Sequence, residues 1–363
     1  GKIPFDPDII YILSERTENK IVMKEFIIEE NEAGQRFDKY LAKLLKEAPK
    51  SFFYKMLRKK NITLNGKKAT GNEKLLKGDS IRLFLSDETF DKFAGSVQVA
   101  RAYCDLDIVY EDADIVIVNK PVGMLSQPAD DGTPSLVEYL IGYLLKKGEL
   151  TEKQLKTFKP SVCNRLDRNT SGMVCAGKSL AGLQFLSRIF HDRTLHKYYL
   201  CLVKGRIERD NHIKGYLHKD KKTNKVTVSR EKSEDSMPIE TAYHPLGSNG
   251  KMTLLEVELI TGRTHQIRAH LSSIGHPLLG DGKYGDAEFN RKYAGYGVKH
   301  QLLHAYKLVI PETDQTFVAQ VPDLFHKVIV EEHLEECYHE NLERSLGLCK
   351  DDRRSADHRD VCK

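Results

Sequence analysis

The first half of the chain changes from a helical to a strand-like spacing of apolar residues. Over 37–45 they recur every three or four positions, which predicts a helix that ends before Pro49. Ser51 can cap a second helix, whose inward positions are Phe52, Phe53, Met56 and Leu57. Alternating apolar positions over 62–64 and 81–85, with an Asn65-Gly66 turn signal, then predict a small hairpin-rich sheet.

Beyond residue 100, strand-like and helix-like segments follow one another without a repeat. Strands are predicted at 115–118, 173–176, 199–203, 226–229 and 253–260, and helices at 135–146 and 179–190. A further helix is predicted from Thr264 to Gly275, with Ile267, Leu271 and Ile274 as its buried stripe. This order favours an α+β architecture around a large antiparallel sheet.

Composition narrows the class of protein. The 363 residues allow two domains, and no apolar run approaches the length of a membrane span. No signal-peptide pattern is present, and seven cysteines without a Cys-x-x-Cys pair favour reduced thiols, so we expect a cytoplasmic protein. No phosphate-binding loop or dinucleotide motif occurs, and we expect no cofactor. Nor do we expect a metal, since the spacing of Cys337, His339, Cys349, His358 and Cys362 fits no closed zinc site.

Positive charge is concentrated near the N-terminus. Residues 34–85 carry fourteen Lys or Arg against four Asp or Glu, whereas 331–363 carry six against ten. Arg36, Arg58, Lys59 and Lys60 are predicted on the surface of the two short helices. The simple alternative is a solvated basic face, but the local excess suits a module that binds a polyanion such as RNA.

Residues 164–172 read Asn-Arg-Leu-Asp-Arg-Asn-Thr-Ser-Gly and hold the strongest candidate for chemistry. Asp167 lies between Arg165 and Arg168, and adjacent positive charge keeps a carboxylate ionised. An ionised aspartate without a second acid suits nucleophilic attack better than proton donation. The alternative is a loop aspartate held in structural ion pairs.

Four ordered segments resemble the motifs of the RluA-type pseudouridine synthases over about residues 100 to 325. They are 164–172, the Tyr110–Pro121 segment that ends in Lys-Pro, the 197–205 segment Lys-Tyr-Tyr-Leu-Cys-Leu-Val-Lys-Gly, and 261–270 followed by 275–277 and 280–285. The N-terminal pattern resembles the RNA-binding module named after small-subunit ribosomal protein four. The resemblance implies a pseudouridine synthase fold with a central mixed, mostly antiparallel sheet, plus a small N-terminal α/β module.

The same resemblance implies roles for individual residues. Asp167 would be the nucleophile, Tyr199 would stack on the base or accept a proton, and Arg268 would pair with the catalytic carboxylate. Arg263 is the alternative partner or a phosphate contact, and Arg165 would fill the gap left by the extruded base. Arg168 and His265 complete the expected RNA-contacting set, although Arg168 could simply support its loop and Tyr199 could simply be core.

Two residues depart from the family pattern. Asn164 stands where the family usually has histidine, and Asn169 replaces a frequent aspartate. We interpret Asn164 as a hydrogen-bonding loop residue, because asparagine makes similar contacts but cannot titrate.

The resulting prediction is a monomeric RNA pseudouridine synthase that acts on large-subunit ribosomal RNA of the 23S type. A transfer-RNA enzyme and a catalytically silent ribosome-assembly factor are the alternatives. The predicted organisation is an extension over 1–22, an RNA-binding module over 23–90, a linker over 91–99, the catalytic domain over 100–330 and a charged, loosely ordered tail over 331–363.

Overall fold

A computed structural model describes residues 21–95, 99–220 and 222–348. Nine α-helices occur among these residues. They are α1 (Phe37–Leu44), α2 (Lys50–Arg58), α3 (Asp87–Ala94), α4 (Leu136–Lys147), α5 (Leu180–His191), α6 (Gln266–Ser273), α7 (Ala287–Tyr293), α8 (Asp323–Glu331) and α9 (Glu335–Ser345). The expected segments 1–20 and 349–363 lie outside the described residues.

The described strands number fourteen. They are β1 (Ile21–Ile27), β2 (Ile62–Leu64), β3 (Ser80–Ser86), β4 (Ile108–Glu111), β5 (Ile115–Lys120), β6 (Ser161–Val162), β7 (Ser171–Gly177), β8 (His196–Lys204), β9 (Asn211–Lys219), β10 (Val226–Ser229), β11 (Met237–Ser248), β12 (Met252–Leu259), β13 (Leu303–Ile310) and β14 (Gln315–Val318).

Among the described residues, the smaller of two compact units comprises those from 21 to 100 together with 150–159. Its antiparallel sheet has the order β1-β3-β2. Helices α1 and α2 bury their apolar stripes against it, so Phe37, Leu41, Phe53 and Leu57 share one core with Ile81 of β3. The helical and strand-like spacings of the sequence therefore meet in a single hydrophobic core.

Local structure differs from expectation at two places in this unit. Helix α2 begins at Lys50 after Pro49, and Ser51 does not cap it. Helix α3 occupies Asp87–Ala94, so the first part of the expected linker is helical. Ser86 caps α3 by accepting the Thr89 N–H, and Phe90 and Phe93 pack on the module core. An N-cap serine before an acidic first turn is the signal that was missed.

The larger unit comprises 101–149 and the described residues from 160 to 348. Its eleven-stranded sheet runs β10-β9-β11-β12-β8-β13-β7-β5-β4, with β14 and β6 paired beside it. Every pairing is antiparallel except that of β13 with β7. This confirms the α+β class with a mixed, mostly antiparallel sheet. Apolar side chains cover the central strands, and all seven residues of β7 are buried.

Helix starts in this unit follow local capping chemistry. Ser135 and Ser179 accept backbone N–H groups at the first turns of α4 and α5, close to the predicted boundaries. Helix α6 begins at Gln266 rather than Thr264, because His265 adopts a left-handed conformation with φ 54°. Ile274, expected in the buried stripe, is one-third exposed and lies after the last turn of the helix.

The expected loose tail is wrong for residues 335–345. Helices α8 and α9 pack on the sheet through Phe325, Ile329, Tyr338 and Leu342, which belong to one buried cluster. The spacing of Tyr338 and Leu342 by four residues was the available signal, but surrounding charge obscured it. Among the described residues, no helix combines the length and apolar character needed to cross a membrane.

Candidate active site

The loop that carries Asp167 lies between β6 and β7 and is held from one side by Ser126. The Ser126 hydroxyl donates to the Leu166 carbonyl at 2.8 Å and accepts the Leu166 N–H at 3.0 Å. Both backbone groups of the residue before Asp167 are therefore satisfied by one buried side chain. Such double anchoring fixes the direction in which the neighbouring carboxylate points.

Lys120 supports the same loop by binding one of its backbone carbonyls. Its side chain is fully buried, and its Nζ donates to the carbonyls of Arg168, Pro121 and Met124 at 3.1, 3.0 and 2.8 Å. Burial lowers the pKa of Lys120 to about 8, although the Asp167 charge opposes that shift. The lysine of the Lys-Pro turn thus connects the Asp167 loop with the loop that follows β5.

Asn164 connects its loop to the backbone of β7. Its Oδ1 accepts the Cys175 N–H at 2.8 Å, and its Nδ2 donates to the Met173 carbonyl at 3.2 Å. One amide side chain therefore supplies both an acceptor and a donor to adjacent strand positions. These contacts agree with the interpretation of Asn164 as a hydrogen-bonding residue.

An ion-pair chain joins Asp167 to the interior. Arg268 of α6 donates Nη1–H to Asp167 Oδ2 at 2.8 Å, and its Nε and Nη2 donate to the two oxygens of Asp281 at 2.7 and 2.9 Å. Burial disfavours charge on Arg268, but the hydrogen bonds to Asp281 and Asp167 outweigh it and raise the pKa of Arg268. The side chain of Asp281 is wholly buried, whereas that of Asp167 is 27% exposed. The guanidinium is therefore fixed at its inner end by Asp281 and holds the partly exposed Asp167 at its outer end.

Asp281 is itself held by the loop that follows it. Its Oδ1 accepts the backbone N–H groups of Lys283 and Tyr284 at 2.8 and 3.0 Å. Burial alone would raise the pKa of Asp281, yet the Arg268 guanidinium and these N–H groups lower it. The 280–285 motif thus builds the support of the ion pair.

His265 approaches Asp167 from the start of α6. Its Nε2 lies 3.8 Å from Asp167 Oδ2, and its Nδ1 lies 2.8 Å from the Tyr284 hydroxyl. That hydroxyl also accepts the Val226 N–H, and it can donate its own proton to Nδ1 when the ring proton of His265 is on Nε2. Burial lowers the pKa of His265, with the Asp167 charge acting in the opposite sense.

Tyr199 comes from the middle of β8, between its register partners Val257 and Ala305. It is buried, and burial together with the Asp167 charge raises the pKa of its phenol. Its neighbour Tyr198 is half-buried beside Lys307, whose Nζ lies 4.3 Å from the ring centre. The two tyrosines have different surroundings, as strand alternation requires.

Gly172 permits the approach of β7 to β13. A Cβ at this position, which has φ 118°, would lie 2.4 Å from the Ala305 backbone. The close packing of β7 against β13 therefore requires the glycine of the Thr-Ser-Gly motif.

The remaining residues of the expected RNA-contacting set are peripheral to this cluster. Arg165 and Arg168 are exposed, and Arg168 pairs with Asp131 at 3.0 Å. Arg263 is half-buried at the entrance of α6, and its backbone N–H is bonded to the Gln266 side chain.

In the smaller unit the expected cations divide into two kinds. Arg36 is bound to Asp38 and Asn72. Arg58, Lys59 and Lys60 are exposed at the end of α2 and form no ion pair with another described residue. The last three are therefore the cations best placed to attract phosphate.

Sequence reasoning gave no role to Asp281, Tyr284, Lys120 or Ser126. Asp281 and Tyr284 lie in the 280–285 motif and Lys120 in the Lys-Pro motif, so their positions were noticed without their contacts. Ser126 belongs to no quoted motif, and only the folded chain reveals it.

Comparison with known proteins identifies the family. The family model described as RNA pseudouridylate synthase matches residues 114–273, and that of the S4 domain matches residues 35–81. An uncharacterised RNA pseudouridine synthase of Mycoplasma genitalium is 32% identical over 81% of this chain and 91% of its own length. The chain belongs to the RNA pseudouridine synthase family.

Other relatives agree with this assignment. Proteins named ribosomal large subunit pseudouridine synthase C are 32% identical in Vibrio vulnificus, over 81% of this chain and 91% of theirs, and 31% identical in Escherichia coli, over 83% and 93%. The solved structure of human RNA pseudouridylate synthase domain containing 4 has a TM-score of 0.50 at 23% identity, covering 63% of this chain and 92% of that one. That likeness shows the fold. This pseudouridine synthase therefore carries an S4 domain before a catalytic fold of the expected class.

Proposed function

We propose that this pseudouridine synthase uses Asp167 as its nucleophile to isomerise uridines of large-subunit ribosomal RNA. The observation that carries the assignment is the Asp281–Arg268–Asp167 chain. Asp167 Oδ2 is bound by Arg268, whereas Oδ1 has no hydrogen bond to another described residue. An anchored carboxylate with one free oxygen suits attack on an electrophilic carbon.

The reaction breaks the bond between the uracil nitrogen and the ribose, turns the base, and joins it through carbon. The Asp167 carboxylate would hold the sugar or the base during this rotation, or assist elimination. Arg268 would hold and orient this carboxylate, and no redox step is required. The raised pKa of Tyr199 keeps its phenol protonated near neutral pH, which favours stacking on the base over proton acceptance.

Basic side chains near Asp167 and in the S4 domain would bind the RNA. Arg165 is exposed two residues before Asp167, where it can occupy the space of an extruded nucleotide. Arg168 and Arg263 would contact the flanking phosphates, and the partly buried His265, 3.8 Å from Asp167, would contact the RNA beside the nucleophile. Arg58, Lys59 and Lys60, with a smaller part for Arg36, would supply sequence-independent attraction to phosphate.

The relatives named ribosomal large subunit pseudouridine synthase C favour large-subunit ribosomal RNA over transfer RNA. We propose that the enzyme acts on that substrate as a monomer in the cytoplasm. The silent-protein alternative rested on Asn164, whose two strand contacts give it a structural role instead.

Replacement of Asp167 tests the assignment. Asp167→Asn should abolish pseudouridine formation while RNA affinity stays within a few-fold, because the amide keeps the shape and loses the nucleophilic charge. Asp192→Asn, at an exposed position after α5, is the matched control and should retain full activity. Product from a clean Asp167→Asn preparation would remove Asp167 from this role.

The substrate requires a separate experiment. Pseudouridine would be mapped in ribosomal and transfer RNA of cells lacking this gene and of the parent strain. Loss confined to large-subunit ribosomal RNA supports the proposal, and loss confined to transfer RNA contradicts it.

A further inference from the structure

Helices α8 and α9 form a tightly connected hairpin. The chain turns between them at His333, which has φ 57°, and the Leu334 N–H bonds back to the Ile329 carbonyl. Phe325, Val328 and Ile329 of α8 share a buried cluster with Tyr338 and Leu342 of α9. Side chains on the outer side of this hairpin are therefore mounted on two packed helices.

Three potential metal ligands converge on that outer side. One donor atom from each of His326, Glu335 and His339 lies within 4.8 Å of the other two. Glu335 and His339 are four residues apart on α9, and Glu335 Oε1 lies 3.4 Å from His339 Nε2. Residues four apart face the same side of a helix, so the backbone geometry itself brings this pair together.

His326 completes the group from the neighbouring helix. Its ring centre lies 6.0 Å from that of His339 and 5.6 Å from that of Tyr338. Neither imidazole nitrogen of His326 is hydrogen-bonded to another residue in the described part of the chain, and the side chains of His339 and Glu335 are about half exposed. The nitrogens are thus available, and an ion can enter from solvent.

We propose that His326, Glu335 and His339 bind one divalent transition-metal ion of the zinc type, which links α8 to α9. Two imidazoles and one carboxylate match the preference of Zn²⁺ for nitrogen and oxygen donors, whereas Ca²⁺ and Mg²⁺ require oxygen ligands. Tetrahedral zinc would bring its ligands to about 3.4 Å from one another, within reach of small side-chain rotations. Water would occupy the fourth position.

The site differs from the sequence-level zinc candidate. That candidate combined His339 with cysteines, whereas the folded chain groups His339 with His326 and Glu335. Asp167, Arg268 and Asp281 are not among these ligands, so the metal stabilises the hairpin and takes no part in the isomerisation.

Metal titration of the full-length, reduced protein tests this site. The protein would be freed of metal at neutral pH, kept in a phosphine reductant, and titrated with Co²⁺ and Zn²⁺. We expect one equivalent of Co²⁺ to give weak visible bands without the intense near-ultraviolet absorption of a thiolate ligand. Zinc should raise the melting temperature by roughly 2 °C or more at saturation.

Matched variants identify the ligands. His326→Ala, His339→Ala and Glu335→Gln should each weaken binding by about tenfold or more. His333→Asn removes an exposed histidine of the same hairpin at a left-handed position that asparagine tolerates, and should leave the affinity unchanged.

Three results would overturn the proposal. They are the absence of stoichiometric binding at about 100 μM metal, a thiolate absorption band, and an affinity insensitive to His326→Ala. Because all three side chains lie on the outer side of the hairpin, the variants should fold. Circular dichroism checks this, and loss of binding in the folded Glu335→Gln variant would support the site independently.

Discussion

Positive charge has different surroundings in the S4 domain and beside Asp167. Arg58, Lys59 and Lys60 are exposed at the end of α2 without a described acidic partner. Arg268 is buried between two carboxylates, with three of its N–H groups committed. The three exposed side chains can adjust to the phosphates of a flexible polyanion. The Arg268 guanidinium, by contrast, is held in one geometry by its hydrogen bonds.

The energetic consequences differ in the same way. An exposed charge interacts through water, where a pair 4 Å apart is worth about 1 kcal/mol and salt screens it. Removing one partner of a buried pair leaves an uncompensated charge, which costs about 3–5 kcal/mol. Substitutions in the S4 domain should therefore lower RNA affinity gradually. Those in the buried ion pair of Arg268 should lower the rate of the chemical step abruptly.

Arg268→Lys should have the largest effect among these tests. Lysine cannot bind both oxygens of Asp281 and also reach Asp167, so we expect the single-turnover rate to fall by about 10²-fold to 10³-fold with RNA affinity nearly unchanged. Arg263→Lys is the control, because the Arg263 side chain forms no ion pair with another described residue. A larger rate loss in Arg263→Lys than in Arg268→Lys would reverse the assignment of the two arginines.

His304 extends the comparison to a buried titratable group beside the Asp167 loop. Its Nε2–H donates to the Ala319 carbonyl, its Nδ1 accepts from the Ser171 hydroxyl, and burial lowers the pKa of His304 to about 4. The unfolded chain, with a histidine pKa of about 6.5, binds this proton first as the pH falls. Stability should therefore decline between about pH 6.5 and pH 4, by up to about 1.4 kcal/mol per pH unit from this group.

Urea unfolding at several pH values measures that decline. His304→Gln should flatten it, whereas Arg58→Gln in the S4 domain should not, because arginine stays charged throughout. An unchanged slope in His304→Gln would assign the acid sensitivity to other groups, such as His270, whose pKa burial also lowers to about 4.

Neutralising the three exposed cations at the end of α2 should have an intermediate effect, and on binding alone. In the triple variant Arg58→Gln, Lys59→Gln and Lys60→Gln, affinity at low salt should fall by about tenfold, and the slope of log affinity against log salt should decrease by roughly 2. The value of kcat on saturating RNA should be retained.

Arg36→Gln is the matched control, and it should change the salt slope less because Asp38 and Asn72 already bind Arg36. If all four substitutions left the slope unchanged, the basic face would be a solvated surface only.

The smallest effect is expected for Asn164→His. The substitution loses at least one strand contact, so stability should fall by about 1 kcal/mol while the rate changes little. The pH–rate profile between 5 and 8 should gain no histidine-dependent limb. A rate gain above about tenfold with such a limb would show that Asn164 impairs the natural enzyme.

Local chemistry made much of the fold predictable. Ser135 and Ser179 cap helices within one residue of their expected starts, and β10 has the predicted bounds because its apolar alternation is undisturbed. The resemblance to the pseudouridine synthase family implied that Arg268 pairs with Asp167, and the structure has that hydrogen bond. Capping and alternation are properties of neighbouring residues, and so they can be read without the fold.

Contacts between residues far apart in the sequence could not be predicted in this way. Asp281 acts on Asp167 only through Arg268, and Ser126 reaches the Asp167 loop across forty residues of chain. Helix α9 was taken for a loose tail because its charged residues are visible in the sequence, whereas the core that Tyr338 and Leu342 enter is not. The sequence by itself determined the helices and strands whose capping or alternation is local, and the chemistry available to them. Only the tertiary structure decided which charge is buried against which, because burial depends on residues brought together from distant parts of the chain.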